Sequence, residues 1–370
     1  MKPSLQNNSR WRIGIGALAF ATLGGAPLAW AQATPAALAE CHGKSSDAER
    51  LACYDAVSGR GAAARPTGDA PPRVPAESPA RTSPAVSSDS IADAVHRESK
   101  VQGSPSMIDA GWDFNPDSPA FDIRFHRANY LLVGRYSTDV NNAPLTPLFE
   151  AAGVPQQDLN HTEAKFQISF KTRLWTTDDR RWGAWVGYTQ QNQWQVYNGD
   201  VSRPFRETNY MPEAFISWKP DIDLGGGFKW NLLNAGYNHQ SNGRADVLSR
   251  SWDRLFAEFG VEKENLALFG KVWWRLPESS DTDDNPDITR YYGYGELNGL
   301  YRWRDNSFAL GVRGNVSTGK GAMQFGWTSP KILGAFRGYV QVFSGYGESL
   351  IDYNWKQTTV GVGFALSDGL

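Results

Sequence analysis

The chain has 370 residues, with 37 Lys and Arg against 39 Asp and Glu, a formal net charge of −2 that argues against nucleic acid as a partner. Its mean hydropathy is −0.48 and no apolar run of about 18 residues occurs beyond the N-terminus, which excludes a helical membrane protein. With 37 Gly, 15 Trp and 13% aromatic residues, two classes remain: a carbohydrate-binding β protein, or a transmembrane β-barrel whose alternating strands hide their apolar residues from any average.

Residues 1–31 read as a secretory signal. Lys2, Arg10 and Arg12 flank the start of a short apolar core from Ile13 to Leu23, and Ala29-Trp30-Ala31 fits a small-x-small cleavage site. A short membrane anchor competes, but Gly24, Gly25 and Pro27 break the stretch. Export to an oxidising compartment suits the two cysteines. Cys41 and Cys53 flank Ser46-Asp47-Ala48-Glu49, a capping box opening a short helix with Leu51 and Tyr54 on one face. Residues 32–57 are therefore expected to form a periplasmic helical hairpin closed by a Cys41–Cys53 disulfide, a staple that so small a unit needs. Residues 58–107 hold no aromatic side chain and scatter Pro66, Pro71, Pro72, Pro75, Pro79, Pro84 and Pro105 among Ala, Ser and Gly. Such a segment cannot bury a core and is expected to be a disordered linker. A folded unit at the end of a tether implies an envelope partner for the hairpin.

Residues 108–370 carry all but two of the tryptophans. Alternation is plain in 165–171, where Phe166, Ile168 and Phe170 are apolar while Lys165, Gln167, Ser169 and Lys171 are polar. Strands are expected near 127–137, 163–175, 182–197, 206–218, 226–241, 249–259, 264–276, 288–303, 307–315, 321–327, 335–346 and 356–366. An even set of twelve fits an all-β fold, a twelve-stranded antiparallel transmembrane β-barrel of the bacterial outer membrane, with the N-terminal region in the periplasm. A soluble sandwich leaves the apolar-outside pattern unexplained.

Of the five histidines, His42 and His96 fall in the hairpin and linker, His126 precedes the first strand and His161 lies in a polar loop. Only His239 sits in a strand among polar neighbours. His239 and Ser241 are two apart and share a face with Leu233, Ala235 and Tyr237, the side expected to meet lipid. An imidazole and a hydroxyl on a greasy face are costly unless they act. Together they are the base and nucleophile of acyl transfer. A tight turn after Ser241 would bring Asp253, in phase with Leu255 and Phe259, to the His239 ring as its orienter. Two other patterns read as bland: Asp281, Asp283, Asn285 and Asp287 fail the helix-loop-helix calcium motif at Pro286 and Tyr292 and read as a solvated loop. Gly225-Gly226-Gly227 reads as a turn.

Longer strings surround these residues. Tyr237-Asn238-His239-x-Ser241-Asn242-Gly243-Arg244 with Ser249-Arg250-Ser251-Trp252 resembles the outer membrane phospholipase A family. So do Pro204-Phe205-Arg206-Glu207-Thr208-Asn209-Tyr210, Asp284-Asn285-Pro286-Asp287-Ile288-Thr289 and Ser344-Gly345-Tyr346-Gly347-Glu348-Ser349-Leu350-Ile351-Asp352-Tyr353-Asn354. The resemblance runs from about Ala128 to the C-terminus and implies a calcium-dependent serine hydrolase acting on acyl esters of phospholipids and lysophospholipids at either glycerol position. It implies His239 as base and Ser241 as nucleophile, with Asp253 where the family usually has asparagine. It implies Ca²⁺ ligands from the Arg244 carbonyl, the Ser249 hydroxyl and, across a homodimer, Ser202, although Arg203 stands where a small residue is usual. Gln190 matches the dimer-contact glutamine. The hairpin and linker are not typical of the family. The competing function is a catalytically silent barrel serving as a pore or envelope anchor.

Overall fold

The computed structural model describes residues 41, 44, 46–57, 106–200 and 203–369. The expected signal segment, Ser202, the linker up to residue 105 and most of the hairpin's first arm lie outside the described residues, and the last linker residues, Ser106 and Met107, instead open a helix. The chain divides into two compact units. In the N-terminal one, helix α1 (Asp47–Val57) starts where the capping box placed it, with Ser46 Oγ accepting the Glu49 N–H at 3.3 Å. Cys41 and Cys53 are joined by a disulfide. Leu51 is exposed on this helix.

The larger unit is built on antiparallel strands: β1 (Asp122–Phe125), β2 (Tyr130–Ser137), β3 (Thr162–Thr176), β4 (Trp182–Trp194), β5 (Phe205–Trp218), β6 (Ile222–Gly225), β7 (Phe228–Ser241), β8 (Ser251–Lys263), β9 (Leu266–Arg275), β10 (Gly295–Trp303), β11 (Asn306–Asn315), β12 (Lys320–Leu333), β13 (Phe336–Tyr346) and β14 (Lys356–Ala365). Each barrel strand pairs with its neighbours. β14 pairs with β2 and β3 with β4, so twelve strands close on themselves, while β1 and β6 are short additions on β3 and β7. A short helix α2 (Met107–Trp112) precedes the strands, and α3 (Thr146–Ala152) and α4 (Thr289–Tyr292) lie between them.

Three expected boundaries moved for local reasons. The strand expected from 288 begins at Gly295, because residues 289–292 make a helical turn. The strand expected to stop at 327 runs to Leu333, with an irregularity between Thr328 and Lys331 where Pro330 cannot donate to the ladder. The triple-glycine turn adds the short hairpin β6–β7, with φ of 84°, 64° and 84° at Gly225, Gly226 and Gly227.

Period-2 alternation decides what each wall faces. Ile168, Phe170, Val186, Leu255, Phe259 and Val360 point outward and are exposed, whereas Lys165, Ser169, Lys171, Gln193 and Asn234 point inward and are buried. Apolar outside and polar inside is the pattern of a transmembrane barrel. Rings gather toward the rims. Trp182 stacks on Trp218 at 5.5 Å near the end with the short turns 264–265 and 304–305, and Trp194 stacks on Phe205 at 5.1 Å near the end with the long loops.

The interior is filled from both ends. At the short-turn end, α2 enters the barrel. Its N-terminus is tied to Glu262, which accepts from Ser106 Oγ at 2.6 Å, Ile108 N at 3.0 Å and Asn231 Nδ2 at 2.6 Å. Ile108 and Trp112 join a buried cluster with Leu232, Phe256, Trp252 and Tyr292. At the other end, residues 347–355 fold inward. There Glu348 pairs with Arg135 and with Lys165 at 2.9 Å, while Arg206 bridges Glu163 at 3.1 Å and Asp352 at 2.8 Å. A cavity of about 360 Å³ remains.

Candidate active site

The β7–β8 hairpin sets the site. Its register puts His239 opposite Asp253 and Ser241 opposite Ser251, while β5 puts Tyr210 opposite Ser241 on the other side. A barrel strand this regular keeps residues two apart on one face, about 7 Å along the strand. Gln240 and Asn238 accordingly turn into the barrel and are buried, whereas His239, Ser241 and Asp253 stand on the outer wall, each partly exposed.

His239 Nδ1 lies 2.8 Å from Asp253 Oδ1, with the two side chains 34% and 30% exposed. The orienter inferred from strand parity is thus brought to the ring. A carboxylate only accepts hydrogen bonds, so Nδ1 carries the proton of the neutral imidazole and Nε2 is left with the lone pair. The Tyr237 hydroxyl, also on β7, donates to the same oxygen, Asp253 Oδ1. Sequence parity marked Tyr237 only as lipid-facing; its hydroxyl role depends on the diagonal step to the neighbouring strand.

The turn 242–250 is shaped by one buried amide. Asn242 Oδ1 accepts from Arg250 N at 3.0 Å and Arg244 N at 3.3 Å, and its Nδ2 donates to Leu248 O at 2.8 Å. Gly243 has φ +63°, and a Cβ there would lie 2.8 Å from the Tyr210 ring, so conformation and space both demand glycine. Arg244 is clamped by its guanidinium to the carbonyls of Arg206 at 2.6 Å and Phe205 at 3.3 Å.

Ser249 Oγ donates to Asp284 Oδ2 at 2.5 Å. The acidic loop after β9 is therefore more than a solvated connection. Asn285 is fully buried and accepts from Ser251 N at 3.0 Å, Asp283 pairs with Arg275 at 2.6 Å, and Tyr353 donates to Asp287 at 2.8 Å. Burial pushes the Glu278 carboxyl in this loop up, with the charges of Asp283 and Asp253 adding to the effect against Arg275. Among the described residues no three His, Cys, Asp or Glu side chains converge on a point.

The remaining candidates scatter. His126 lies in the barrel against Glu213 at 2.5 Å, and His161 contacts the Ser137 carbonyl at 2.7 Å. Gln190 stands on the outer wall in a polar row: Tyr188 Oη donates to it at 2.8 Å, and it donates to Asn192 at 3.0 Å, which also receives Thr208 Oγ1 at 3.0 Å.

Known proteins share this architecture. A family model described as phospholipase A1 matches residues 112–366. A relative from Neisseria meningitidis serogroup B is 41% identical over 66% of this chain, which spans 65% of that relative's length. The phospholipase A1 of Klebsiella pneumoniae is 39% identical over 74% of this chain and 91% of its own. Among solved structures, the outer membrane phospholipase dimer of Salmonella typhi with bound calcium is similar, with a TM-score of 0.63 and 35% identity over 72% of this chain and 99% of that one. Sequence, barrel and family model agree, and the chain belongs to the phospholipase A1 family, the outer membrane phospholipases A.

Proposed function

We propose that this chain hydrolyses acyl esters of phospholipids and lysophospholipids, at either glycerol position (A1 and A2), by a Ser-His-Asp mechanism on the lipid-facing wall, as a calcium-activated homodimer of the outer membrane. The observation that carries the reading is the 2.8 Å contact between His239 Nδ1 and Asp253 Oδ1, one pleat from Ser241 on the outer wall. His239 Nε2 takes the proton of Ser241 as Oγ attacks the ester carbonyl. The same proton then goes to the departing alcohol, leaving the acyl group on Ser241. Water, activated by the same ring, releases the fatty acid and restores Ser241. Asp253 stabilises the imidazolium in both steps and keeps the ring from turning.

The Arg244 carbonyl, the Ser249 hydroxyl and Ser202 of the partner subunit would hold Ca²⁺. Oxygen donors suit so hard a cation, and the Asp284 carboxylate beside Ser249 adds charge of the right sign. When bound, the ion supplies positive charge for the oxyanion of the attacked ester. The polar row of Tyr188, Gln190, Asn192 and Thr208 supports the dimer, since such groups facing lipid are costly unless a second copy covers them. The long loops of these barrels face outside, which places the site within reach of the outer leaflet. An interior packed by α2 and residues 347–355 speaks against the pore. Covalent labelling of the detergent-solubilised protein by a sulfonyl fluoride, abolished in Ser241→Ala, tests the reading. Absence of both labelling and lipid hydrolysis with calcium present would leave the barrel as a pore or anchor.

A further inference from the structure

We propose that Glu207 is a positioning residue that couples the calcium turn to the loop between β13 and β14, an inference that rests on the calcium-dependent esterase reading above. Glu207 is 1% exposed on β5 and serves two sides of the barrel mouth with its two oxygens. Oε1 accepts from Asn209 Nδ2 at 2.7 Å and from Ile351 N at 3.1 Å. Oε2 faces Asn242 Nδ2 at 3.5 Å and Arg244 Nε at 3.5 Å.

These contacts have unequal weight. The bond to Ile351 has good length, whereas 3.5 Å to Asn242 is a long hydrogen bond. The hold on the turn is therefore mainly electrostatic, through Arg244, whose charge is placed against β5 by the Phe205 and Arg206 carbonyls. Asn242 spreads that hold over the turn, because its single amide ties residues 244, 248 and 250. The proposed ligands Arg244 and Ser249 both sit inside those ties. From the other side, residues 347–355 are fixed by Leu350 N to Asn209 Oδ1 at 2.9 Å and by Tyr353 Oη to Asp287 at 2.8 Å, on the loop that carries Asp284. The loop thus grips both flanks of the turn, and Glu207 is where it meets the Arg244 flank. A buried carboxylate that must be desolvated is explained by this double duty; a neutral side chain would serve Ile351 alone.

The test uses the full chain in detergent micelles with two readouts. One is terbium(III) luminescence, with the metal as a stand-in for calcium. The other is the calcium dependence of sulfonyl fluoride labelling at Ser241. Glu207→Gln keeps an acceptor for Ile351 and removes the counter-charge of Arg244; its half-saturation for terbium and calcium should rise about tenfold, the loss of one charge-assisted contact. Glu207→Ala should shift further, while the plateau of labelling falls less than twofold in each. The near-isosteric Gln variant decides if Ala fails to show the migration of a folded barrel on unheated gels. Half-points coinciding with wild type would overturn the role of Glu207 and leave the esterase reading standing. Wild-type protein that takes up no terbium and labels without calcium would overturn both.

Discussion

His239 and Asp253 are cross-strand partners on the outer wall of the barrel, and the ladder that pairs their backbones also sets their side chains 2.8 Å apart. Orientation of the ring therefore comes from the sheet and from no loop. Asp253→Asn keeps an acceptor for the Nδ1 proton and for the Tyr237 hydroxyl, so activity on a soluble ester should stay within about tenfold of wild type. Asp253→Ala leaves the ring free to turn and should lower kcat on the order of 10²-fold, the usual cost of a misplaced reacting group. Steady-state rates of the three forms at saturating calcium decide; equal rates for Asn and Ala would remove Asp253 from the mechanism.

Ser249 should matter for calcium and little for folding. Its hydroxyl reaches Asp284 rather than a ladder partner. Ser249→Ala is expected to raise the calcium needed for half-maximal hydrolysis severalfold, with unfolding in urea shifted by less than about 1 kcal/mol, as expected for one partly exposed hydrogen bond. Normal hydrolysis at limiting calcium would exclude Ser249 as a ligand.

Glu262 anchors the helix that enters the barrel. Glu262→Ala strips partners from Ser106, Ile108 and Asn231 together, and should cost about 3 kcal/mol, more than a single bond but less than three summed. Urea unfolding measures the loss. Limited proteolysis should cut within residues 107–113 in the variant and not in the wild type; identical digestion patterns there would mean that helix α2 is held by Ile108 and Trp112 alone.

The N-terminal unit should respond to reduction on its own. Its disulfide spans a sequence separation of 12, a loop for which cross-linking contributes about 3 kcal/mol. Cys53→Ser should lose the helical circular dichroism of the isolated segment 32–57, while ester hydrolysis by the full chain is kept. Lost hydrolysis in Cys53→Ser would show that the barrel depends on the hairpin. Pull-down with residues 32–57 tests for an envelope partner, and recovery of none counts against that role.

Much of this molecule is written locally. Period-2 alternation is a property of neighbours in sequence, so the strand set, the outward parity of His239 and Ser241, and the polarity of the lumen could be read before any coordinates. The helix start at Ser46 and the glycine turn at 225–227 were legible for the same reason: a cap or a turn needs only a few adjacent residues. Asp253 was reachable one step further, because its parity with Leu255 and Phe259 puts it on the outer face of the next strand. What the sequence concealed are contacts between residues that only barrel closure brings together. Ser249 with Asp284, Glu207 with Ile351 and Glu262 with Ile108 join segments 35 to 154 residues apart. Each pair joins segments that meet only once the strands have closed. The acidic run 281–287 shows the limit best: composition alone says solvated loop, yet closure of the barrel buries Asn285 against the start of β8 and sets Asp284 against Ser249.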